Sequence, residues 1–188
     1  MKNTILLITL ILISLTNLKA QSFIYGVSFG SAKFFHQNGS KKYNDFTFSL
    51  PNIKLGKQIN SKHAVVLYLP GTLYKYKESG RIRDRGFEAI LPSYQYQINS
   101  KFSCLIGLGL GIDAPAFYDI KNESERKFYF GTAATSSIAY EILKSKNFSL
   151  DLQARVQYGK VKMESLFHEG FALNILLGIN FKKDVQYK

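Results

Sequence analysis

Residues 148–158 read Phe-Ser-Leu-Asp-Leu-Gln-Ala-Arg-Val-Gln-Tyr, with an apolar residue at every second position and a polar residue between each pair. Because successive side chains of a β-strand point to opposite faces, this segment predicts a strand with one apolar and one polar face. At about 3.3 Å per residue and a tilt of about 40° from a membrane normal, its ten steps cover roughly 25 Å along that normal. A strand of this length could cross the apolar layer of a membrane.

Seven other segments have a similar length and alternation, and together they predict an all-β protein of eight antiparallel strands. They are Phe23 to Phe34, Phe46 to Ile59, His63 to Tyr74, Phe87 to Ile98, Phe102 to Asp113, Phe128 to Leu143 and Phe171 to Phe181. In the second and fourth of the eight strands the apolar alternation shifts by one residue at a proline, Pro51 and Pro92. A residue without an N–H is typical of a β-bulge, so we expect a bulge at both prolines.

The connections between these strands alternate between short and long. Ile-Asn-Ser-Lys occurs at residues 59–62 and again at residues 98–101, and a third short polar turn covers residues 142–147. The other four connections are longer: residues 35–45, 75–86, 114–127 and 159–170. This alternation places both termini and all short turns at one end and predicts an up-and-down barrel.

The sequence leaves two kinds of barrel open, which differ in the face that lies outside. A transmembrane barrel turns its apolar face outward, whereas a soluble secreted barrel of the lipocalin type turns it inward. The other face of the strands, opposite the apolar one, is rich in small and amide side chains, which suits a crowded lumen. These residues are Gly107, Gly109, Gly111, Ser149, Gln153, Gln157, Asn174, Gly178 and Asn180. Aromatic residues also gather near both ends of the strands, as in the two interfacial girdles of membrane barrels. The pattern therefore favours an eight-stranded antiparallel up-and-down transmembrane β-barrel.

The first 20 residues predict a cleavable secretory signal, because Lys2 precedes a short apolar run that ends in small and polar residues. The predicted division is a signal at 1–20, an outer-membrane barrel at 21–182 and a polar tail at 183–188. Cys104 is the single cysteine and lies on an apolar strand face, so it is interpreted as a small hydrophobic residue. The formal net charge is +12, but a secreted barrel is not expected to meet nucleic acid.

The chain resembles the small eight-stranded outer-membrane barrels of Gram-negative bacteria, and in particular the short barrel proteins of Bacteroidota. The resemblance covers residues 21–181 and depends on the signal end Lys-Ala-Gln at 19–21, the alternating strands and the final Leu-Gly-Ile-Asn-Phe at 177–181. That last strand is similar to the aromatic-ended strand read by the barrel-assembly machinery. The resemblance implies a location in the outer membrane, contact with its lipid and insertion by that machinery.

Charged residues on or near the predicted inward face form the first candidate site: Lys54, Glu88, Asp113, Glu141, Asp151 and Arg155. In a narrow lumen such charges need partners, so we expect a salt-bridge network. The alternative is a gated polar path for small ions. Because the interior of an eight-stranded barrel is filled by side chains, a permanently open pore is not expected.

An enzyme is the second functional alternative. Ser165, His168 and Glu169 bring a hydroxyl, an imidazole and a carboxylate close together in the last long connection. Outer-membrane lipid A deacylases are eight-stranded barrels with such a set of residues, although their His and Ser stand two apart on a strand. Neither a metal site nor a cofactor is indicated by the spacing of the three histidines.

The basic long connections give the leading functional hypothesis, a non-enzymatic barrel whose loops contact lipopolysaccharide or a protein partner. Arg81, Arg83 and Arg85 alternate with other residues between Tyr74 and Phe87. On a continued strand they share one face, where they could bind the phosphates of lipopolysaccharide together. We therefore expect these three arginines to be the main contact for an anionic ligand.

Overall fold

The computed structural model describes residues 22–38, 41–78, 81–121, 123–145, 147–163 and 166–184. Within them the chain forms nine strands: β1 (Ser22–Asn38), β2 (Lys41–Gln58), β3 (His63–Leu69), β4 (Gly71–Glu78), β5 (Arg81–Gln97), β6 (Phe102–Pro115), β7 (Tyr129–Lys144), β8 (Phe148–Met163) and β9 (Leu166–Asp184). Two single 3-10 turns, Phe117–Asp119 and Glu123–Glu125, lie between β6 and β7. The predicted signal lies outside the described residues. β9 continues two residues into the predicted tail, of which residues 185–188 also lie outside.

The strands close into a ring of eight antiparallel positions, because β3 and β4 share one position. Both strands pair with β5 in one unbroken register, Tyr68 with Leu91 and Gly71 with Glu88. Pro70 separates them because it has no N–H to give to the ladder, although its carbonyl still accepts a hydrogen bond of 2.9 Å from the Ala89 N–H. β1 pairs with β9 over its whole length and closes the ring. The predicted fold, an eight-stranded antiparallel up-and-down barrel, is confirmed.

Three of the four predicted long loops are strand hairpins, so that part of the prediction was wrong. Pairing continues to Asn38 with Lys41, to Glu78 with Arg81 and to Met163 with Leu166. The side-chain alternation persists in these segments, but its outward positions change from apolar to lysine and other polar residues, which hid the strands from a search for apolar alternation. Of the four connections, only the last part of the third is an irregular loop among the described residues, at 116–121 and 123–128. We call this end of the barrel the long-hairpin end, and the opposite end the short-turn end.

The two prolines behave differently. At Pro51 the register between β1 and β2 shifts by one residue, so the predicted bulge in β2 is confirmed. At Pro92 it does not shift, because Ile90 pairs with Leu110 and Ser93 with Gly107 in one register. The predicted bulge there was wrong. Phe87, Ala89 and Leu91 instead turn their apolar side chains into the lumen.

The outer surface is apolar and the lumen is packed. Phe46, Leu108 and Ile175 are among the many large apolar side chains exposed on the outside. Inside, Phe34, Tyr74 and Phe87 are at most 1% exposed and pack together toward the long-hairpin end. A soluble barrel would need the opposite arrangement, since water solvates apolar surface poorly. The lipocalin-like alternative, with its apolar face inward, was therefore wrong. Among the described residues, no helix is long and apolar enough to cross a membrane.

Phe87 and Phe34 explain two of the glycines, one on β8 and one on β9. A Cβ on Gly159 would collide with Phe87 Cζ, and a Cβ on Gly170 would lie within 2.7 Å of Phe34 Cζ. Because any side chain at these two positions would collide with a ring, β8 and β9 present bare backbone there. The two glycines thus make room for the aromatic packing that fills the lumen.

Candidate functional site

A buried acid, Asp113, lies at the centre of a polar cluster near the long-hairpin end of the lumen. Arg85 Nε donates to Asp113 Oδ1 at 2.5 Å, the hydroxyl of Tyr74 donates to Oδ2, and His168 Nδ1 lies 3.4 Å from Oδ2. His168 Nε2 in turn lies 3.1 Å from His36 Nδ1. We call these five residues the upper cluster. All are at most 4% exposed, so the cluster stabilises the packed lumen and is closed to large ligands.

A second group of charges, the loop cap, joins the irregular loop to β5. Arg81 donates to Glu125 Oε2 at 2.6 Å and to Asp119 Oδ1 at 2.8 Å, and Arg83 Nη2 donates to the Glu125 carbonyl at 2.8 Å. Hydrogen bonds from Arg81 lower the pKa of Glu125 to about 2 and also lower the pKa of Asp119. Both carboxylates are therefore ionised at neutral pH and hold the loop over the lumen.

This geometry corrects the prediction for Arg81, Arg83 and Arg85. The three arginines do share one face, but it is the inward face of β5, where Arg83 and Arg85 are at most 2% exposed. Arg81 is partly exposed, and its guanidinium forms ion pairs with two carboxylates, those of Asp119 and Glu125. The sequence did not reveal these partners, since Asp119 and Glu125 lie more than 35 residues away from Arg81. The arginines bind the protein's own acids, and an external anion would have to displace them.

We expect Glu125→Gln to loosen the loop cap. The substitution keeps the shape of the side chain but removes the charge that Arg81 and Arg83 face. Limited digestion with trypsin at the exposed residues Lys121, Arg126 and Lys127 should become roughly fivefold faster, because proteolysis follows the population of the open loop. Glu123→Gln is the matched control, since Glu123 is exposed in the same 3-10 turn. Equal digestion of the two variants would contradict the cap.

Arg155 lies halfway down the lumen in a layer of neutral polar groups, which we call the polar layer. It donates to Asn174 Oδ1 at 2.9 Å, to Tyr68 Oη at 3.1 Å and to Asn52 Oδ1. Ser49 Oγ and Thr72 Oγ1 lie at 3.3 and 3.4 Å. Arg155 is 1% exposed, and among the described residues no carboxylate lies within ion-pair distance of it. The polar layer and the aromatic packing above it fill the lumen at this level.

Below the polar layer the lumen opens into a cavity of about 860 Å³ at the short-turn end, which we call the lower lumen. Five lysines and two acids are among the side chains that line it, together with several amides: Lys54, Lys62, Lys101, Lys144, Lys182, Glu141, Asp151, Gln58, Gln95, Gln97, Asn99 and Asn180. Lys54 Nζ lies 3.3 Å from Gln95 Oε1. The lower lumen is thus a polar, mainly basic cavity.

Five of the six residues predicted as a luminal network are divided among three places in the lumen. Asp113 belongs to the upper cluster and Arg155 to the polar layer, while Lys54, Glu141 and Asp151 line the lower lumen. They do not form one network. Glu88 lies on the outer face of β5, between the inward side chains of Phe87 and Ala89, so its inclusion was wrong. The bulge wrongly predicted at Pro92 caused this error, because it reversed the faces assigned to residues 87–91 of β5.

The residues that complete these sites were not predicted from the sequence. His36 and Tyr74 in the upper cluster, and Asn52 and Tyr68 in the polar layer, all come from strands distant in the sequence from their partners. Their inward phase was the only available signal.

The predicted catalytic set is not brought together on one face. His168 is 0% exposed on the inward face of β9, whereas Glu169 is on the outward face with its Oε1 2.6 Å from Lys160 Nζ. Neighbouring residues of a strand point in opposite directions, so this carboxylate cannot orient this imidazole. Ser165 lies outside the described residues. Nor do the described residues contain a group of three or more His, Cys, Asp or Glu that could hold a metal ion.

Lysines occupy outward positions of the strands near the long-hairpin end. Lys75 and Lys77 lie on β4, and Lys160 and Lys162 on β8. Lys160 is paired with Glu169 and lies over the ring of Phe167 at 4.7 Å. Lys75, Lys77 and Lys162 are exposed, and no partner of theirs is found among the described residues. We call these four lysines the basic rim.

The ring of eight strand positions, the apolar exterior and the polar, packed lumen define a transmembrane β-barrel of the outer-membrane type. Neisserial surface protein A has the same fold, with a TM-score of 0.56 and 18% identity over 86% of this chain and 97% of its own. Ail, the attachment invasion locus protein of Yersinia pestis, has a TM-score of 0.53 and 18% sequence identity over 85% of this chain and 98% of its own. A second structure of Ail, in complex with the heparin analogue sucrose octasulfate, has a TM-score of 0.52 and 17% identity over 86% of this chain and 99% of its own.

At these identities the similarity concerns the fold, and it agrees with the predicted outer-membrane location. Comparison with family models and with curated proteins gave no match to the sequence. The narrower resemblance to barrels of Bacteroidota stays a prediction.

Proposed function

We propose that this chain is a non-enzymatic outer-membrane barrel that binds the phosphates of lipopolysaccharide through its basic rim. The observation that carries the proposal is the outward position of Lys75, Lys77 and Lys162, exposed and without a protein partner among the described residues. The binding surface therefore differs from the arginine set that the sequence suggested. Phosphate groups of the outer leaflet would meet the barrel at this height, just above the exposed aromatic side chains.

Two further observations support this proposal. Lys75 and Lys77 are two residues apart on one strand face, about 7 Å from each other, so both can reach one phosphorylated sugar. Sucrose octasulfate in the Ail complex is a polyanion bound by a barrel of this fold. The opposite faces of His168 and Glu169 remove the support that the sequence gave to the enzyme alternative.

The triple variant Lys75→Gln, Lys77→Gln and Lys162→Gln tests the proposal. Each exposed charge contact is weak, so we expect roughly a tenfold loss of lipopolysaccharide affinity at low salt, with unchanged heat-dependent gel mobility. The difference should shrink as salt shortens the Debye length below about 10 Å. Affinity can be measured with the refolded barrel in detergent micelles.

A matched control removes the same charge from the other end of the barrel. Lys62→Gln, Lys101→Gln and Lys144→Gln change three lysines near the short turns. This variant should bind lipopolysaccharide as the wild type does. An equal loss in both variants would mean that net charge, and not the basic rim, determines binding. Unchanged binding in the first variant would refute the proposal directly.

A further inference from the structure

The lower lumen contains a cation, Lys54, that has no ion-pair partner among the described residues. Lys54 Nζ has one hydrogen-bond partner, the neutral Gln95, and no carboxylate of the described residues lies within ion-pair distance of it. Asp151, on β8, also lines the cavity and its charge acts on Lys54, but both its oxygens accept hydrogen bonds from neutral amides. Gln153 Nε2 donates to Oδ1 at 2.7 Å and Asn180 Nδ2 donates to Oδ2 at 2.6 Å.

Arg155, in the polar layer above the cavity, is a second positive charge without an ion-pair partner among the described residues. Arg155 has only neutral partners in the polar layer, and its Nε has no hydrogen-bond partner among the described residues. A buried charge without a counter-ion raises the electrostatic potential around it, because low-dielectric walls focus its field. Asn52 and Tyr68, which accept hydrogen bonds from Arg155, line a second, small cavity together with Lys54. One layer of neutral side chains therefore lies between Arg155 and the cavity that Lys54 lines.

The size and lining of the cavity indicate what kind of anion fits. A volume of about 860 Å³ lies within the range of roughly 300–1,000 Å³ that holds small organic ligands, and is far larger than a single inorganic ion needs. Lysine acts as a point charge that suits phosphate from several directions. The amides around it can exchange hydrogen bonds with hydroxyl groups.

We propose that the lower lumen is a binding site for a small phosphorylated polyol or sugar, which enters from the short-turn end and places its phosphate against Lys54. The aromatic packing and the polar layer close the far side of the cavity, so the ligand binds and leaves through one mouth. This site lies in the lumen, at the opposite end from the basic rim. It does not depend on the proposed contact with lipopolysaccharide.

Titration of the detergent-solubilised barrel with glucose 6-phosphate, inorganic phosphate and glucose tests the proposal, with calorimetry as the readout. Glucose 6-phosphate should bind several-fold more tightly than inorganic phosphate, because only the first reaches the amides as well as Lys54. Glucose should not bind measurably. Equal affinities for glucose 6-phosphate and inorganic phosphate would contradict the proposal that the ligand is a sugar or polyol. If glucose 6-phosphate does not bind, the whole proposal is wrong.

Two single variants should change this affinity in opposite directions. Lys54→Gln removes the phosphate contact and should weaken glucose 6-phosphate binding roughly tenfold or more, whereas Lys54→Arg should retain most of it. Asp151→Asn removes the acid whose charge acts on Lys54 and should tighten binding by a few-fold. A gain of affinity cannot come from a damaged fold. Lys33→Gln, at an exposed outward position of β1 outside both proposed sites, is the control and should leave binding unchanged; equal effects of all variants would refute the site.

Discussion

Phe87→Ala is expected to lower the free energy of unfolding of the barrel by about 3–5 kcal/mol. Phe87 is 0% exposed and its ring lies against Phe34 and the bare backbone of Gly159. The substitution removes buried apolar surface and leaves a cavity, because the strands of a closed ring cannot move inward to fill it. The expected loss of stability therefore has two parts: the free energy of transferring the ring out of water, and the cost of the cavity that its removal leaves.

Phe130→Ala is the matched control for this experiment. Phe130 is 57% exposed on the outer face of β7, so its removal leaves no internal cavity and should be clearly less destabilising. Urea unfolding in lipid vesicles, followed by gel mobility or circular dichroism, gives the comparison, since the chain contains no tryptophan to report by fluorescence. Similar losses in the two variants would show that the lumen is not held by this packing.

The architecture could be predicted because it depends on a pattern that repeats along the chain. Residues 148–158 alternate without a fault, and the structure places every polar member inward and every apolar member outward. Residues 160–163 continue the same alternation with lysine on the outside, where a strand leaves the membrane and no longer needs apolar side chains. A rule based on apolar alternation therefore finds the membrane band and misses the strand beyond it.

The interior was harder to predict because the inward face is not uniformly polar. Phe87 and Leu91 are apolar and point inward. An apolar residue was expected to point outward, so the residues of β5 that precede Pro92 were assigned to the wrong faces. What makes these positions possible is the glycine backbone of the facing strands, a match between distant residues that no local pattern contains. The pairing of Arg81 with Asp119 and Glu125 is hidden for the same reason.

The second large effect is expected at the pair formed by Arg85 and Asp113. Asp113→Asn should lower the free energy of unfolding by about 3–5 kcal/mol, because it leaves the buried guanidinium of Arg85 without its carboxylate. Arg85→Met should be similarly destabilising, since it leaves Asp113 charged among Tyr74 and His168. The double variant removes both charges and should lose much less than the sum of the two single losses.

The pair of Lys160 and Glu169 provides the comparison that isolates the effect of burial. Its N···O distance of 2.6 Å is close to the 2.5 Å between Arg85 Nε and Asp113 Oδ1, but its side chains are 39% and 40% exposed instead of 1% and 0%. An exposed pair at this distance is worth less than about 1 kcal/mol, because water and salt screen both charges. Double-mutant cycles on the two pairs, measured by the same urea unfolding, should therefore give a coupling of about 2–3 kcal/mol in the lumen and almost none on the surface. If the two couplings are equal, the upper cluster is open to water, and the lumen is not closed at the long-hairpin end as its packing indicates.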